Sequence, residues 1–248
     1  MNRPLTGKVA IVTGGSRGIG RAIVIKLCGL GAEVIINYAS DRSSAEELSR
    51  TVIANGDKAH VVRADVSKVE EIEKLFESVV TRYGRLDILV NNAGVATYKA
   101  IADFNEDEFD TIMNLNLKGL FFCCREAARV MADNGCIINI GSTVTRVMLP
   151  TYGAYAATKG AVEQITKVLA KELGPRAIRV NTLSPGPVDT KLFRAGKTDE
   201  QIHQLAGLAA LGRIGTPEDI ADMVGLLVDP QAGWVTGQNI LVNGGFAA

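Results

Sequence analysis

The sequence predicts an α/β protein: one doubly wound parallel sheet of about seven strands, with helices on both faces. Three observations carry that prediction. Short runs rich in β-branched residues, such as 8–13, 33–37, 86–91 and 136–141, alternate with longer segments of helical period. The first run passes directly into a glycine-rich turn, Gly14-Gly-Ser16-Arg17-Gly18-Ile19-Gly20. No proline-rich linker, repeat or low-complexity stretch divides the 248 residues, so a single domain over 1–248 is expected.

Composition narrows the class. Lys+Arg and Asp+Glu are both 27, which leaves no basic footprint for nucleic acid. The start, Met1-Asn-Arg-Pro-Leu-Thr-Gly-Lys8, has no apolar core of a signal peptide, and no apolar run approaches the roughly 18 residues of a membrane span. A cytoplasmic protein without a membrane partner is expected. Cys28, Cys123, Cys124 and Cys136 form no C-x-x-C pair and sit among apolar residues, so they read as buried reduced thiols. His60 and His203 lack ligand spacing around them, and no metal site is expected.

Taken in order, the first strand and its glycine turn open a helix through Ile19, Ile23, Leu27 and Leu30, stopped by Gly31. Strand, glycine turn and helix N-terminus together suit a pyrophosphate, because glycine admits close backbone approach and the helix end supplies N–H donors. A second strand at 33–37 and a helix from Ser43 to Asn55 follow. At the end of that strand a dinucleotide fold places an acid for NAD or a basic residue for NADP. Here the stretch is Tyr38-Ala39-Ser40-Asp41-Arg42. Tyr38 occupies the acid's register, and Arg17 with Ser40 or Arg42 could meet a phosphate. NADP is favoured, with NAD left open by Asp41.

The third strand, 60–66, ends in the carboxylate of Asp65 and in Val66. The next helix repeats through Val69, Ile72, Phe76, Val79 and Tyr83, with Glu70, Glu71 and Glu73 read as a solvated face near the helix start. The fourth strand runs into Asn91, Asn92, Ala93 and Gly94, a small-residue corner where amides can tie neighbouring backbones. From Asn105 to Asp133 the period predicts one long helix, interrupted by Asn114 and Asn116. The fifth strand, 136–142, precedes a loop and a helix from about Tyr152 to Leu173, with Val162, Ile165, Leu169 and Leu173 as its apolar stripe. Glu163, Lys167 and Lys171 form a charged stripe that is either solvent-facing or interfacial. A sixth strand at 178–183 ends in the rigid corner Ser184-Pro185-Gly186-Pro187. Residues 188–211 read as a mobile substrate lid, because ligands enter such sheets at strand carboxyl ends. Thr216-Pro217 starts a capped helix, and 238–245 forms the seventh strand.

The stretch from Ser142 to Lys159 organises the chemistry. It places a hydroxyl at a strand end and Tyr155 at a helix start, with Lys159 one turn on, on the same face. A phenol with a pKa of ~10 is a weak acid-base catalyst at neutral pH; an adjacent ammonium favours its ionised form and lowers that value.

With these residues in view, the chain resembles the short-chain dehydrogenase/reductase family along nearly its whole length. The matches are Thr13-Gly-x-x-x-Gly-x-Gly20, Asp65-Val66, Asn91-Asn-Ala-Gly94, Asn116, Ser142, Tyr155-x-x-x-Lys159 and Pro185-Gly186. Within the family it looks most like the 3-oxoacyl-acyl-carrier-protein reductases and their relatives. The resemblance implies a Rossmann-type fold, with Tyr155 as general acid, Ser142 polarising the carbonyl, and Lys159 holding the nicotinamide ribose and lowering the tyrosine pKa. It also implies that Asn116 holds a relay water. Asp65 and Val66 would meet adenine, Asn92 and Gly94 the adenosine ribose side, and Val188 and Thr190 the carboxamide. Gly14, Ser16, Arg17, Gly18, Ile19, Gly20, Ala39, Ser40, Pro185 and Gly186 complete the expected cofactor contacts.

The implied activity is an NADP-preferring oxidoreductase acting on a carbonyl or secondary alcohol, with a 3-oxoacyl thioester as the leading substrate. The basic residues that face acyl carrier protein in that group are thinned here: before the fifth strand stands Met131-Ala132-Asp133-Asn134, with Arg129 and Arg176 nearby. Asn243 replaces an aspartate common in the group. An apolar pocket is expected from Val95, Val144, Met148, Leu149, Tyr152, Pro187, Leu192 and Phe193, and the resemblance implies a homotetramer. The alternatives are a dehydrogenase of small alcohols, sugars or polyols, and a non-catalytic dinucleotide-binding sensor or scaffold.

Overall fold

In the computed structural model, residues 3–247 are described. The elements run β1 (Val9–Val12), α1 (Gly18–Gly29), β2 (Glu33–Tyr38), α2 (Arg42–Ala54), β3 (Lys58–Arg63), α3 (Val69–Tyr83), β4 (Leu86–Asn91) and α4 (Glu106–Ile112). There follow α5 (Leu120–Val130), β5 (Met131–Ile140), α6 (Val144–Val147), α7 (Gly153–Leu173), β6 (Arg179–Pro185), α8 (Lys191–Arg194), α9 (Asp199–Leu208), α10 (Pro217–Val228) and β7 (Asn239–Val242). The strands form one seven-stranded sheet in the order β3-β2-β1-β4-β5-β6-β7. Every pairing is parallel. The chain reverses direction across the sheet between β1 and β4, and there the strand ends leave a crevice.

Both faces of the sheet are buried, which explains strands that read as continuous apolar runs instead of alternating ones. Ala10, Val12, Val34 and Ile36 pack beneath α1, α2 and α10. Val9, Ile11, Ile35 and Leu89 pack beneath α3, α5 and α7. Each buried Val, Ile or Leu contributes about 1.5–3 kcal/mol, so the two layers hold the sheet between them. The four cysteines divide evenly: Cys28 and Cys136 lie in the first core, Cys123 and Cys124 in the second. All four are free, and burial pushes the Cys28 and Cys124 thiols up to about 12 and Cys136 up to about 11.

A buried polar seam seats α7 over the sheet. Asn91 donates to Asn139 Oδ1 at 2.9 Å, and Asn139 donates to Thr166 Oγ1 at 2.9 Å. Thr182 donates to the same Thr166 hydroxyl at 2.7 Å. Strands β4, β5 and β6 thereby fix the helix that carries Tyr155 and Lys159.

Local structure departs from the sequence expectation in several places. The long helix over 105–133 is broken: α4 passes through a π-helical stretch, Met113–Gly119, into α5, which ends at Val130. At Gly119 the helix lies so close to the loop after β3 that a Cβ would stand 2.2 Å from the Val66 carbonyl oxygen. Strand β5 begins at Met131, five residues earlier than its apolar run, and a register shift opposite Leu86 and Ile88 absorbs the polar segment. The loop after Ser142 contains the short helix α6. Glu71 is not merely solvated, because it accepts the Asp65 backbone N–H at 2.8 Å. Glu163 is buried at 7 % exposure, whereas Lys167 and Lys171 of the same stripe are exposed. The segment over 188–211, expected to form a lid, holds α8 and α9, the latter started by a Thr198–Gln201 capping box. Among the described residues, no helix is long and apolar enough to cross a membrane.

Candidate functional site

The crevice at the β1/β4 switch opens into a cavity of about 810 Å³ that runs from the glycine turn to α8 and α9. That size is ordinary for a ligand site. Its floor at one end is main chain. Thr13 Oγ1 accepts the N–H groups of Asn92 and Ala93 at 3.0 and 3.1 Å, while Asn92 Nδ2 donates to the carbonyls of Thr13 and Gly14 at 2.9 and 3.0 Å. Gly14 takes a φ of +60°, which favours glycine, and its missing Cβ leaves room for Ala93. At Gly20 a Cβ would stand 2.3 Å from the Gly14 carbonyl oxygen, so only glycine lets α1 start this close to the turn. Gly20 therefore supports the floor without lining the cavity, in contrast to the contact expected of it.

The N-terminus of α1 has no side-chain cap and no acidic residue in its first turn. Its orphan N–H groups and partial positive charge face the cavity, an arrangement that fits a pyrophosphate. Ser16, Arg17, Gly18 and Ile19 line it. Farther along, Ala39, Ser40, Asp41 and Ser44 line the wall beyond β2, beside Tyr38. Asp41 caps α2 by accepting the Ser44 N–H at 3.0 Å. The Ser44 hydrogen bonds, and then Arg17 and Lys191, hold its carboxyl below the usual range. Arg42 pairs with Glu46 at 2.7 Å and does not line the cavity, which leaves Arg17 and the Ser40 hydroxyl as the phosphate candidates.

Asp65 and Val66 lie just past β3 in the same wall. Asp65 accepts the Ser67 hydroxyl at 2.7 Å and its N–H at 3.0 Å. Although burial pushes its carboxyl up, those bonds and the nearby Lys68 and Arg63 hold it below the ordinary value. Asn92, Gly94, Pro185, Gly186, Val188 and Thr190 also line the cavity.

Ser142, Tyr155 and Lys159 meet in the middle. Strand β5 ends at Ile140 and delivers Ser142; α7 delivers the other two from adjacent turns. Lys159 Nζ donates to the Ile140 carbonyl at 2.8 Å and stands 5.6 Å from the Tyr155 ring centre. Burial pushes Tyr155 up to about 12, with the Ser142 hydroxyl acting in the opposite direction. Burial likewise lowers Lys159 to about 8. The lysine was expected to depress the tyrosine. In the protein alone, desolvation dominates and Tyr152 adds to it, so the Tyr155 phenol lies above its ordinary value.

Asn116 lies behind this wall and does not line the cavity. It is 1 % exposed, and its amide binds Val95 at both ends: Oδ1 accepts the N–H at 2.9 Å and Nδ2 donates to the carbonyl at 2.8 Å. The π-helical stretch aims it there, which pins the strand-end loop that carries Val95.

The far end is lined by side chains. Val95, Val144, Leu149, Tyr152, Pro187, Leu192 and Phe193 are present as expected, whereas Met148 turns outward at 76 % exposure. Tyr98, Leu205 and Phe246 line it as well. None of those three was identified from sequence, because each lies outside the apolar stripe of a periodic element or at the end of the chain. The Tyr98 and Tyr152 rings are 4.5 Å apart, and Tyr152 meets Tyr155 edge-on at 6.5 Å. Lys197, from the lid, sits 4.4 Å over Tyr98 and 5.0 Å over Phe193.

Known proteins share this arrangement of sequence and fold. A family model described as enoyl-(acyl carrier protein) reductase matches residues 14–247. A chloroplastic NADPH-dependent aldehyde reductase-like protein of Arabidopsis thaliana is 41% identical over 257 residues, 98% of this chain and 95% of that protein. The solved structure of a short-chain dehydrogenase/reductase from Serratia marcescens superposes with a TM-score of 0.95 at 43% identity, covering 99% of this chain and 100% of that one. The angucycline C-6 ketoreductase LanV with bound NADP gives a TM-score of 0.92 at 40% identity, with 98% and 96% covered.

Proposed function

The chain belongs to the short-chain dehydrogenase/reductase family, and from that membership we propose that it is an NADPH-dependent reductase of ketones or aldehydes bearing an apolar or aromatic arm. The observation that carries this reading is the convergence of Ser142, Tyr155 and Lys159 in one cavity with the uncapped start of α1. Relatives that bind NADP or are named for NADPH support the cofactor, as do Arg17 and Ser40 where the second phosphate would lie. The main-chain floor at Gly14 and Gly18 would hold the pyrophosphate, and Asp65 and Val66 the adenine. When bound, the nicotinamide supplies a hydride to the carbonyl carbon.

This chain's own residues then govern the oxygen. Ser142 donates a hydrogen bond to it and fixes its direction. Tyr155, still protonated, gives its proton to that oxygen as negative charge develops. Lys159 stands one turn away to stabilise the phenolate left behind, and its ammonium also suits the ribose hydroxyls. Asn116 keeps the Val95 loop in place. The substrate arm extends toward Tyr98, Tyr152 and Phe193, whose faces suit a flat or apolar group.

A 3-oxoacyl thioester fits the same apolar end, so this finer substrate is retained. Delivery by acyl carrier protein has less support, because both candidate arginines are engaged within the chain. Arg129 pairs with Glu126 at 3.0 Å, while Arg176 pairs with Asp133 at 2.9 Å and donates to the Ala128 carbonyl. A tetramer is proposed too, on the resemblance and on exposed apolar groups such as Phe121, Val168 and Trp234; sedimentation tests it. NADPH and NADH oxidation is measured against an aromatic ketone, a small diketone and an acetoacetyl thioester. Turnover of the ketones with NADPH is expected. Activity with NADH alone, or with none of the three carbonyl compounds, overturns the reading.

A further inference from the structure

We propose that Glu163 is a positioning residue for the reduction, holding Ser142 at a fixed place relative to Tyr155 through the hydroxyl of Thr145. The proposal rests on the function proposed above. Tyr155, Lys159 and Glu163 are spaced i, i+4, i+8 along α7 and so share one face of the helix. Glu163 is 7 % exposed, an uncommon state for a carboxylate unless it is bonded. Its Oε1 accepts the Thr145 hydroxyl at 2.6 Å, and the Arg146 guanidinium lies 4.0 Å from Oε2.

Thr145 belongs to α6, a single turn of four residues beginning two positions after Ser142. A turn that short does not persist on its own hydrogen bonds. Its exit is strained as well, since Met148 and Thr151 adopt φ of 47° and 70°, a region that disfavours ordinary side chains. Something outside the segment must hold it, and the buried carboxylate of α7 is in place to do so. The turn in turn fixes Ser142, whose Oγ accepts the Val144 N–H at 3.2 Å and whose carbonyl lies 3.2 Å from the Thr145 hydroxyl. The single Thr145 proton goes to the carboxylate, the nearer acceptor and the charged one. One helix therefore carries the acid and its cationic neighbour, and anchors the third member by a side-chain strut.

The test compares Thr145→Val, which removes the donor at nearly constant shape, with Thr145→Ser, which keeps it, and with Glu163→Gln, which keeps an acceptor. Ketone reduction, NADPH affinity by fluorescence, and hydrogen exchange over 142–149 are followed. We expect Thr145→Val to lower kcat by about 10- to 100-fold, the scale of a misplaced catalytic group, with NADPH affinity unchanged and faster exchange confined to 142–149. Thr145→Ser restores most of kcat, and Glu163→Gln falls between. Wild-type kcat in Thr145→Val overturns the proposal. So does a loss of kcat accompanied by loss of NADPH affinity and faster exchange throughout α7, which would mark a general packing role. If the unaltered protein reduces no carbonyl compound, the proposed function falls separately. The exchange pattern still decides the strut: confined acceleration upholds it, and unchanged exchange removes it.

Discussion

At the glycine-turn end of the cavity the walls are main chain held by hydrogen bonds; at the Tyr98–Tyr152 end they are side chains held by little. Thr13 and Gly14 are bound to Asn92, Gly15 donates to the Asn37 carbonyl at 2.9 Å, and Asn37 donates to the Ala64 carbonyl at 2.9 Å. Each tie joins a loop to a neighbouring strand end, and there is no room for an added Cβ at Gly20. Opposite, Leu149, Leu192 and Tyr98 remain 38 %, 47 % and 36 % exposed, and Lys197 spans the mouth by aromatic contacts. The tight end suits a ligand that is always the same. The loose end can change its side chains without disturbing the proposed proton donor between them, which is how one scaffold serves many substrates.

The largest effect is expected where the two ends meet. Tyr155→Phe should lose about 10²–10⁴-fold in turnover, the usual worth of a general acid, and keep NADPH affinity in a fluorescence titration. Retained turnover would assign the proton to another group.

Next comes the desolvation of that junction. Lys159 releases its proton at about 8 in the folded protein, against 10.5 for an ordinary lysine. Between those values the unfolded chain holds more protons, so stability rises with pH. The rise should reach about 3–4 kcal/mol, at about 1.4 kcal/mol per pKa unit. Denaturant titrations from pH 7 to 10.5 on wild type and Lys159→Met should diverge in that sense. Parallel curves would mean the junction is wet.

Gly20→Ala should cost about 1–3 kcal/mol, the range for overpacking a tight contact. It should weaken NADPH binding because the Asn92–Gly14 tie is displaced. An unchanged melting temperature and affinity would erase the contrast drawn above. Smallest is Lys197→Gln at the loose end, worth about 0.5–1 kcal/mol by the cation–π scale. A shift in ketone KM with kcat and NADPH affinity preserved is expected; a fall in NADPH affinity would show that the ends are coupled.

The same contrast explains what could be read from sequence. The glycine turn, Asp65 and the Tyr155–Lys159 pair depend on spacing within one element or one strand–turn–helix unit, and each lies in or directly behind the cavity wall. Tyr98, Leu205 and Phe246 reach the cavity only through the path of loops, a lid helix and the chain end, which no period encodes. Asn114 and Asn116 interrupt the apolar face over Met113–Gly119, but that interruption alone does not distinguish a solvated face from the π-helical stretch that turns Asn116 toward Val95. For Glu163, the i+4 spacing to Lys167 identifies a shared helix face but not what covers it. α6 covers the carboxylate and leaves Lys167 in water.

The placement of the four thiols turns the protein into its own reporter. A thiolate-directed alkylating reagent meets four cysteines at 0 to 3 % exposure, all with pKa values raised by burial. Labelling must therefore wait for the molecule to open. Because Cys28 and Cys136 sit on one side of the sheet and Cys123 and Cys124 on the other, mass spectrometry of the alkylated peptides times each layer separately. Equal rates at all four sites would mean that the sheet loses both covers in one event. Unequal rates would identify the layer that lifts first.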